Sequence, residues 1–350
     1  MAPFIGNERA VGALKRALAG GMTQHAHLFV GPEHVGKATL ATWLAQALNC
    51  AATNPIVAQG PSPEIGPCGE CSPCLRIAGS KHADVFTISV EPTSDGPLRT
   101  GITVDQIREV AGIVALAPYE GRTRVVTVDP ADGMTTPAQN AFLKTLEEPP
   151  PNVVFVLIAA DEEALLSTIR SRCQRIELRL VPVGEIESAL TAGGAEAEQA
   201  RTYARLSGGR PGLAFAMAND AEYMVRRSEM IEQARSLTAM TIADRMDLAE
   251  KLAEKFRNNR APMLERLRGW QVWWRDVVLV QSGAPDAVVN VDLETELAHD
   301  ATSCDPAAVV AFVKALSDAR EHLRVNVLAR LAFEALLLDA PRTETRVTPA

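Results

Sequence analysis

The stretch Cys68-Gly-Glu-Cys71-Ser-Pro-Cys74 constrains this chain more than any other, because it interrupts a glycine-loop pattern. Three cysteines at i, i+3 and i+6 leave one corner of a tetrahedron open, and Cys50 upstream can fill it. Four thiolates close the coordination shell and leave no place for a catalytic water, so the set reads as a structural zinc site. The loop Gly31-Pro-Glu-His-Val-Gly36-Lys37 precedes it, and Ser171-Arg172-Cys173 follows it. That order points to a zinc-bearing, ATPase-type module, and the residues inside it point to one that has stopped hydrolysing ATP.

At 350 residues the chain is too long for one compact core and implies two or three domains. Its 47% hydrophobic and 22% charged content is that of a globular protein rather than a disordered one. A net charge of -8 argues against a protein that coats nucleic acid by itself. Four of the six cysteines belong to the cluster, so a disulfide framework is excluded and a reducing compartment fits. The first residues lack the pattern of a signal peptide, and no apolar run approaches the ~20 residues needed to span a bilayer. The expectation is a soluble, cytoplasmic chain.

Periodicity lays out the elements. Ile5 to Leu18 has helical spacing and closes at Gly20-Gly21. His27 to Val30 is a short apolar strand that runs into Gly31, and residues 37 to 49 carry the helical stripe Leu40, Leu44, Leu48. Strand, glycine-rich loop, helix is the context a phosphate-binding loop requires. Further strands are expected at Val85–Val90, Arg124–Val128, Val153–Ile158 and Arg175–Leu180. Helices are expected from Val104 to about Ala115, capped by Thr103, and from about Pro137 to Leu146, stopped by Pro149-Pro150-Pro151. Loops are expected at 51–67 and 91–101. Alternation of strand and helix predicts a mostly parallel sheet covered on both faces. Beyond Val181 strand signals nearly vanish, and five helical segments follow between Met224 and Leu338. Trp270, Trp273 and Trp274 share one helical stripe and read as a packing face; Cys173 and Cys304 read as buried thiols.

A phosphate loop wraps its ligand with backbone N–H groups and a helix N-terminus, while a lysine reaches the β and γ oxygens. Gly31, Gly36 and Lys37 keep that equipment, but Ala38 stands where a magnesium-ligating hydroxyl belongs. Thr39 is displaced by about 100° around the helix. Nucleotide binding and a relic loop holding strand to helix both remain open. The strand ending at Asp129 supplies a magnesium-side carboxylate, yet its neighbour is Pro130, where hydrolysis needs an acid to orient water. Asp132 reads as a turn or cap residue. The last apolar strand ends in Ala160, where a polar γ-phosphate sensor is usual. Hydrolysis by this chain alone is therefore not expected. Arg172 could reach a neighbour's ATP site as an arginine finger, or be a surface arginine paired with Glu177 or Asp161. The cysteine cluster has few basic neighbours, which favours a structural staple over a nucleic-acid finger.

Together these residues resemble the bacterial DNA polymerase III clamp-loader family within the AAA+ superfamily, its delta-prime subunits above all. The resemblance rests on Phe4-Ile-Gly-Asn7, His27-Leu-Phe-Val-Gly-Pro32, the four cysteines, Val104-Asp-Gln-Ile-Arg108 and Ala131-Asp-Gly-Met134. Asn140-Ala-Phe-Leu-Lys-Thr-Leu-Glu-Glu-Pro149, Thr168-Ile-Arg-Ser-Arg-Cys173 and Asn326 to Glu334 complete it. It implies an α/β AAA+ P-loop module with a zinc knuckle at 1–179, a helical lid at 180–219 and an all-α oligomerising collar at 220–340. A disordered tail would occupy 341–350. It also implies zinc on Cys50, Cys68, Cys71 and Cys74, and ATP or ADP at Gly31, Gly36, Lys37 and Asp129, with Arg210 as the lid arginine. Arg172 would be the finger for ATP on an adjacent subunit. Partners would be gamma/tau motor subunits and a delta subunit, with the sliding clamp and primed DNA met through the complex. An ATP-hydrolysing motor subunit and a zinc-dependent nucleic-acid-binding module are the alternatives.

Overall fold

The computed structural model describes residues 4–20, 24–52, 66–90, 101–324 and 328–343. In chain order its helices are α1 Glu8–Ala19, α2 Lys37–Asn49, α3 Ser72–Ala78, α4 Val104–Val114, α5 Thr136–Glu147 and α6 Ser167–Arg170. They continue as α7 Val183–Ala192, α8 Ala197–Leu206, α9 Pro211–Asn219, α10 Tyr223–Ser236, α11 Ile242–Asn258, α12 Arg260–Gln281, α13 Glu294–Ser303, α14 Pro306–Arg324 and α15 Ala329–Leu338. The strands are β1 Ala26–Val30, β2 Val85–Ile88, β3 Arg124–Val128, β4 Val153–Ala159 and β5 Gln174–Glu177. The expected loops at 51–67 and 91–101 and the expected tail fall largely outside the described residues. Among the described residues no helix is long and apolar enough to cross a membrane.

Two compact units emerge. The first holds the chain to Glu91, Gly101–Gly193 and Gly209–Leu213; the second holds Gly194–Gly208 and everything from Ala214 on. The first is built on a five-stranded sheet in the order β2-β3-β4-β1-β5, parallel throughout. β1, β3 and β4 are buried along their whole length, which is why they read as predominantly apolar runs, interrupted only by His27, Arg124 and Thr127. Leu28, Val126, Phe155 and Leu157 face a core closed by α4 and α5. Phe29, Val125, Val154 and Val156 face the other core, closed by α1 and α2.

Local chemistry sets the boundaries. α1 starts at Glu8 rather than Ile5 because Gly6 and Asn7 both take left-handed backbone, at φ 67° and 53°. β5 stops at Glu177, short of the expected Leu180, because Asn7 captures the backbone of Arg179 through both amide atoms. α4 begins on a reciprocal capping box between Thr103 and Gln106. Three helices escaped the periodicity. α6 is a single turn of four residues. α3 lies inside the cysteine segment, and α13 buries only Leu297 and Asp300, too few for an apolar stripe.

Asp84, fully buried, is the tie point of the first unit. It accepts the N–H groups of Tyr119, Glu120 and Gly121, each at 2.8 Å, and two bonds from Arg124. Arg124 in turn caps the end of α4 by donating to the carbonyls of Ile113, Leu116 and Ala117. Burial alone would raise the Asp84 carboxyl, but the three N–H donors and Arg124 outweigh it and hold the group well below the usual carboxylate range.

The second unit is all-helical, and Trp270, Trp273 and Trp274 lie at its centre, fully buried. Trp273 Nε1 donates to Asp300, and Trp274 meets Phe312 edge-on. Arg245, buried on α11, donates to the carbonyls of Leu237, Leu337, Ala340 and Pro341, which pins the end of α15.

Asp84→Asn should cost about 3–5 kcal/mol, because it leaves the buried Arg124 without its counter-charge. A carboxyl with a depressed folded pKa stabilises above its unfolded value of about 3.9 and loses that contribution as the pH falls. Urea unfolding should therefore show a gap between wild type and variant that is full at pH 7 and narrows below about pH 4. A gap unchanged at low pH would contradict the assignment.

Candidate functional site

β1 delivers the chain into the glycine loop at the C-terminal edge of the sheet, the face where ligands of open parallel sheets bind. Gly31 has φ 147°, and a Cβ there would lie 2.1 Å from the carbonyl oxygen of Leu178. No other residue fits. Gly36 stands at the N-terminus of α2 at φ 101° and, as a glycine, offers that helix no side-chain cap. Lys37 is buried and folds back, its Nζ donating to the carbonyls of Gly31 and Pro32. Burial lowers its pKa, against the opposing pull of Asp129, Asp132 and Glu33.

Asp129 stands at the end of β3, its N–H held by the Ile88 carbonyl. Burial raises its carboxyl, with Lys37 acting the other way and Asp132 reinforcing the rise. Asp132 sits in the turn after β3, where its Oδ2 accepts the N–H groups of Ala160 and Asp161, both at 3.1 Å. It ties the end of β3 to the end of β4, and that oxygen is spent on structure.

The rim of the loop comes from three distant segments, of which the sequence reading gave a role there only to the one around Arg210. Gly212 N–H donates to the His34 carbonyl at 2.9 Å, Val181 N–H donates to Gly209, and Asn7 grips Arg179. Arg210 lies between Gly209 and Gly212, so the backbone around it is drawn against the loop. His34 takes left-handed backbone, at φ 62°, and nothing in the local sequence announces its contact with Gly212.

Arg172 is not part of that cluster. It pairs with neither Glu177 nor Asp161: Glu177 binds Arg175 and Arg179, and Asp161 accepts the Glu163 N–H. Its Nη2 instead donates to Glu147 Oε1 and its Nη1 to the Thr168 carbonyl, each at 2.8 Å. Cys173 beside it is half-buried, and burial pushes its thiol up to about 12.

The four cysteines converge. The sulfurs of Cys50, Cys68, Cys71 and Cys74 all lie within 4.8 Å of one another, Cys50 to Cys71 at 3.9 Å, and none forms a disulfide. A Zn–S bond of about 2.3 Å in a tetrahedron requires sulfurs roughly 3.8 Å apart, so the spacing fits. The N–H groups of Cys68 and Cys71 donate to the sulfurs of Cys50 and Cys68. Three further contacts bind this knuckle to the body of the unit. Gln46 donates to the Cys74 carbonyl, Arg122 to the Cys50 carbonyl, and Arg76 pairs with Glu120.

A family model described as "DNA polymerase III, delta subunit" matches residues 6–182. The delta' subunit of DNA polymerase III from Pseudomonas aeruginosa is 34% identical over 250 residues, 70% of this chain and 70% of that protein. The chain belongs to the family of DNA polymerase III clamp-loader subunits. The gamma/tau subunit of Mycobacterium tuberculosis is 36% identical over 181 residues, 52% of this chain. The chain spans only 29% of that relative's length. A gamma-subunit-related protein from Thermotoga maritima superposes over 94% of this chain and 97% of its own, with 16% identity and a TM-score of 0.37. That likeness is too distant to bear on either fold or function.

For a member of this family the cysteine set raises a specific question of protonation. Burial drives the Cys74 thiol upward, whereas Cys71 is lowered by N–H and thiol donors that overcome its desolvation. A bound cation would hold all four as thiolates. Purified chain should carry one zinc, and Cys74→Ser should lose it and lower the melting temperature by several degrees. Metal content by mass spectrometry and a thermal scan check this; a metal-free chain with unchanged melting would exclude the structural zinc.

Proposed function

We propose that this chain is a delta-prime-type subunit of a clamp loader, a stator that does not hydrolyse ATP and completes the active site of a neighbouring motor subunit. On this reading an AAA+ module at 1–179 precedes a lid at 180–219 and a collar at 220–340. The carrying observation is at the end of β3. Pro130 follows Asp129, so the position beside the magnesium-side acid, where hydrolysis needs a carboxylate, carries none. Asp132, two residues further on, ties the ends of β3 and β4 through its Oδ2. Ala38 removes the hydroxyl that would place magnesium, while Gly31, Gly36 and Lys37 retain what is needed to hold ATP or ADP. Arg210 would approach the same phosphates from the rim.

Arg172 is then the chemically useful group, offered in trans to ATP on the adjacent gamma/tau-type subunit. The delta subunit, the sliding clamp and primed DNA are the further partners this reading supplies. The cysteine cluster staples a surface excursion, and its tie to Asp84 through Glu120 supports that role over nucleic-acid binding. The reading also places the protein in the cytoplasm.

Steady-state ATP hydrolysis separates the stator from a motor subunit. The zinc-loaded chain alone should show no turnover above Lys37→Ala, whereas Arg172→Ala in the assembled loader should cut turnover by roughly 10³-fold or more. Clear Lys37-dependent turnover by the isolated chain would make it a motor, and unchanged turnover with Arg172→Ala in an intact assembly would remove the finger.

A further inference from the structure

We propose that Glu147 is a positioning residue for Arg172, holding the guanidinium in the orientation in which it meets a neighbouring subunit. The inference rests on the finger reading above and adds a residue to it.

Three arginines cluster on the segment after β4, and each has its own acceptors. Arg170 pairs with Glu163, and Arg175 with Glu162 and Glu177. Those pairs are local, between residues 2 to 13 positions apart. Arg172 alone of the three reaches another helix, crossing 25 positions to Glu147 at the end of α5. Its second anchor, the Thr168 carbonyl, belongs to its own short helix. A guanidinium is a rigid plane with five N–H donors. Fixing one Nη to a carbonyl and the other to a carboxylate fixes the whole plane, while its side chain stays 35% exposed and within reach of a partner.

Glu147 is also in a place that local preference disfavours. It is the last residue of α5, where the partial negative charge of the helix end repels a carboxylate. Pro149 and Pro150 follow at once and set where the helix stops. A residue placed against local preference is where a functional constraint is to be sought. Arg172 supplies the positive charge that makes the position tolerable, and in return a flexible side chain gains a fixed direction. Catalysis by a charge aimed at the transition state depends on that pre-orientation, because an arginine already in place has less freedom to lose during the reaction.

The test uses the full chain in the assembled loader, with Arg172→Ala, Glu147→Gln and Glu147→Asp compared by steady-state kinetics. Glu147→Gln keeps size and hydrogen-bonding shape but removes the charge. It should lower kcat by roughly two- to five-fold with an unchanged KM for ATP, the range expected from an exposed ion pair. Glu147→Asp should recover part of the loss. Because the pair is exposed, added salt should screen it, and the ratio of wild-type to Glu147→Gln turnover should fall towards one as ionic strength rises. Full activity of Glu147→Gln at low salt, beside a large loss in Arg172→Ala, would overturn the positioning role and leave the finger intact. A loss that appears in KM, or that persists unchanged at high salt, would also overturn it. Unaffected turnover in Arg172→Ala would remove both readings together.

Discussion

The buried pair of Asp84 and Arg124 organises the first unit, because each member satisfies backbone groups that the sheet cannot. Arg124 begins β3, yet its side chain collects three carbonyls from the end of α4. Asp84 lies just ahead of β2 and collects three N–H groups from the turn that leads into β3. Helix end, turn and two strands are thus joined through one ion pair. Burying it is tolerable because hydrogen bonds surround both charges. The same turn carries Glu120, which binds Arg76 of the cysteine knuckle, and Arg122, which binds the Cys50 carbonyl. A staple formed by the cysteines would therefore stiffen the core through this hub as well as its own loop.

At the opposite ends of the strands the glycine loop is shaped by close backbone approach. Leu178 presses its carbonyl against Gly31, and Gly212 donates to His34. These contacts fix the shape of the loop from outside it. Ala38 lies within α2, and Pro130 lies in the turn after β3, where its carbonyl accepts the Gly133 N–H, so both keep the local backbone while offering neither a hydroxyl nor an acid.

Much of this architecture was legible in the sequence. β3 matched residue for residue, because Arg124 and the turn after Val128 bound a predominantly apolar run. The helix after the loop and the capped α4 were equally plain, since periodicity and cap chemistry agree there. The misses divide between long-range closure and weak local patterning. Asn7 ends β5 from 172 positions away, and no pattern near Glu177 announces it. α3 hides within a segment whose cysteines dominate its composition, and α13 lacks an apolar stripe. In the candidate site, the glycine loop and the four cysteines could be read from spacing. The partner of Arg172 could not, because Glu147 sits in a run that carries two consecutive glutamates, and only the end of α5 decides between them.

The acidic residues of the first unit divide the work between them. Asp84 and Asp132 are bound by backbone N–H groups, and Glu147 is bound by Arg172. Asp129 faces Lys37, as Asp132 and Glu33 do, and burial raises its carboxyl. Arg172 stands outside that cluster, held by Glu147 and the Thr168 carbonyl, and on the proposed reading its contribution to ATP turnover is made across an interface. The fold then serves to keep that arginine at a fixed distance and angle, and rigidity in the first unit, from the cysteine knuckle through Asp84 to the end of α5, is what such a role requires.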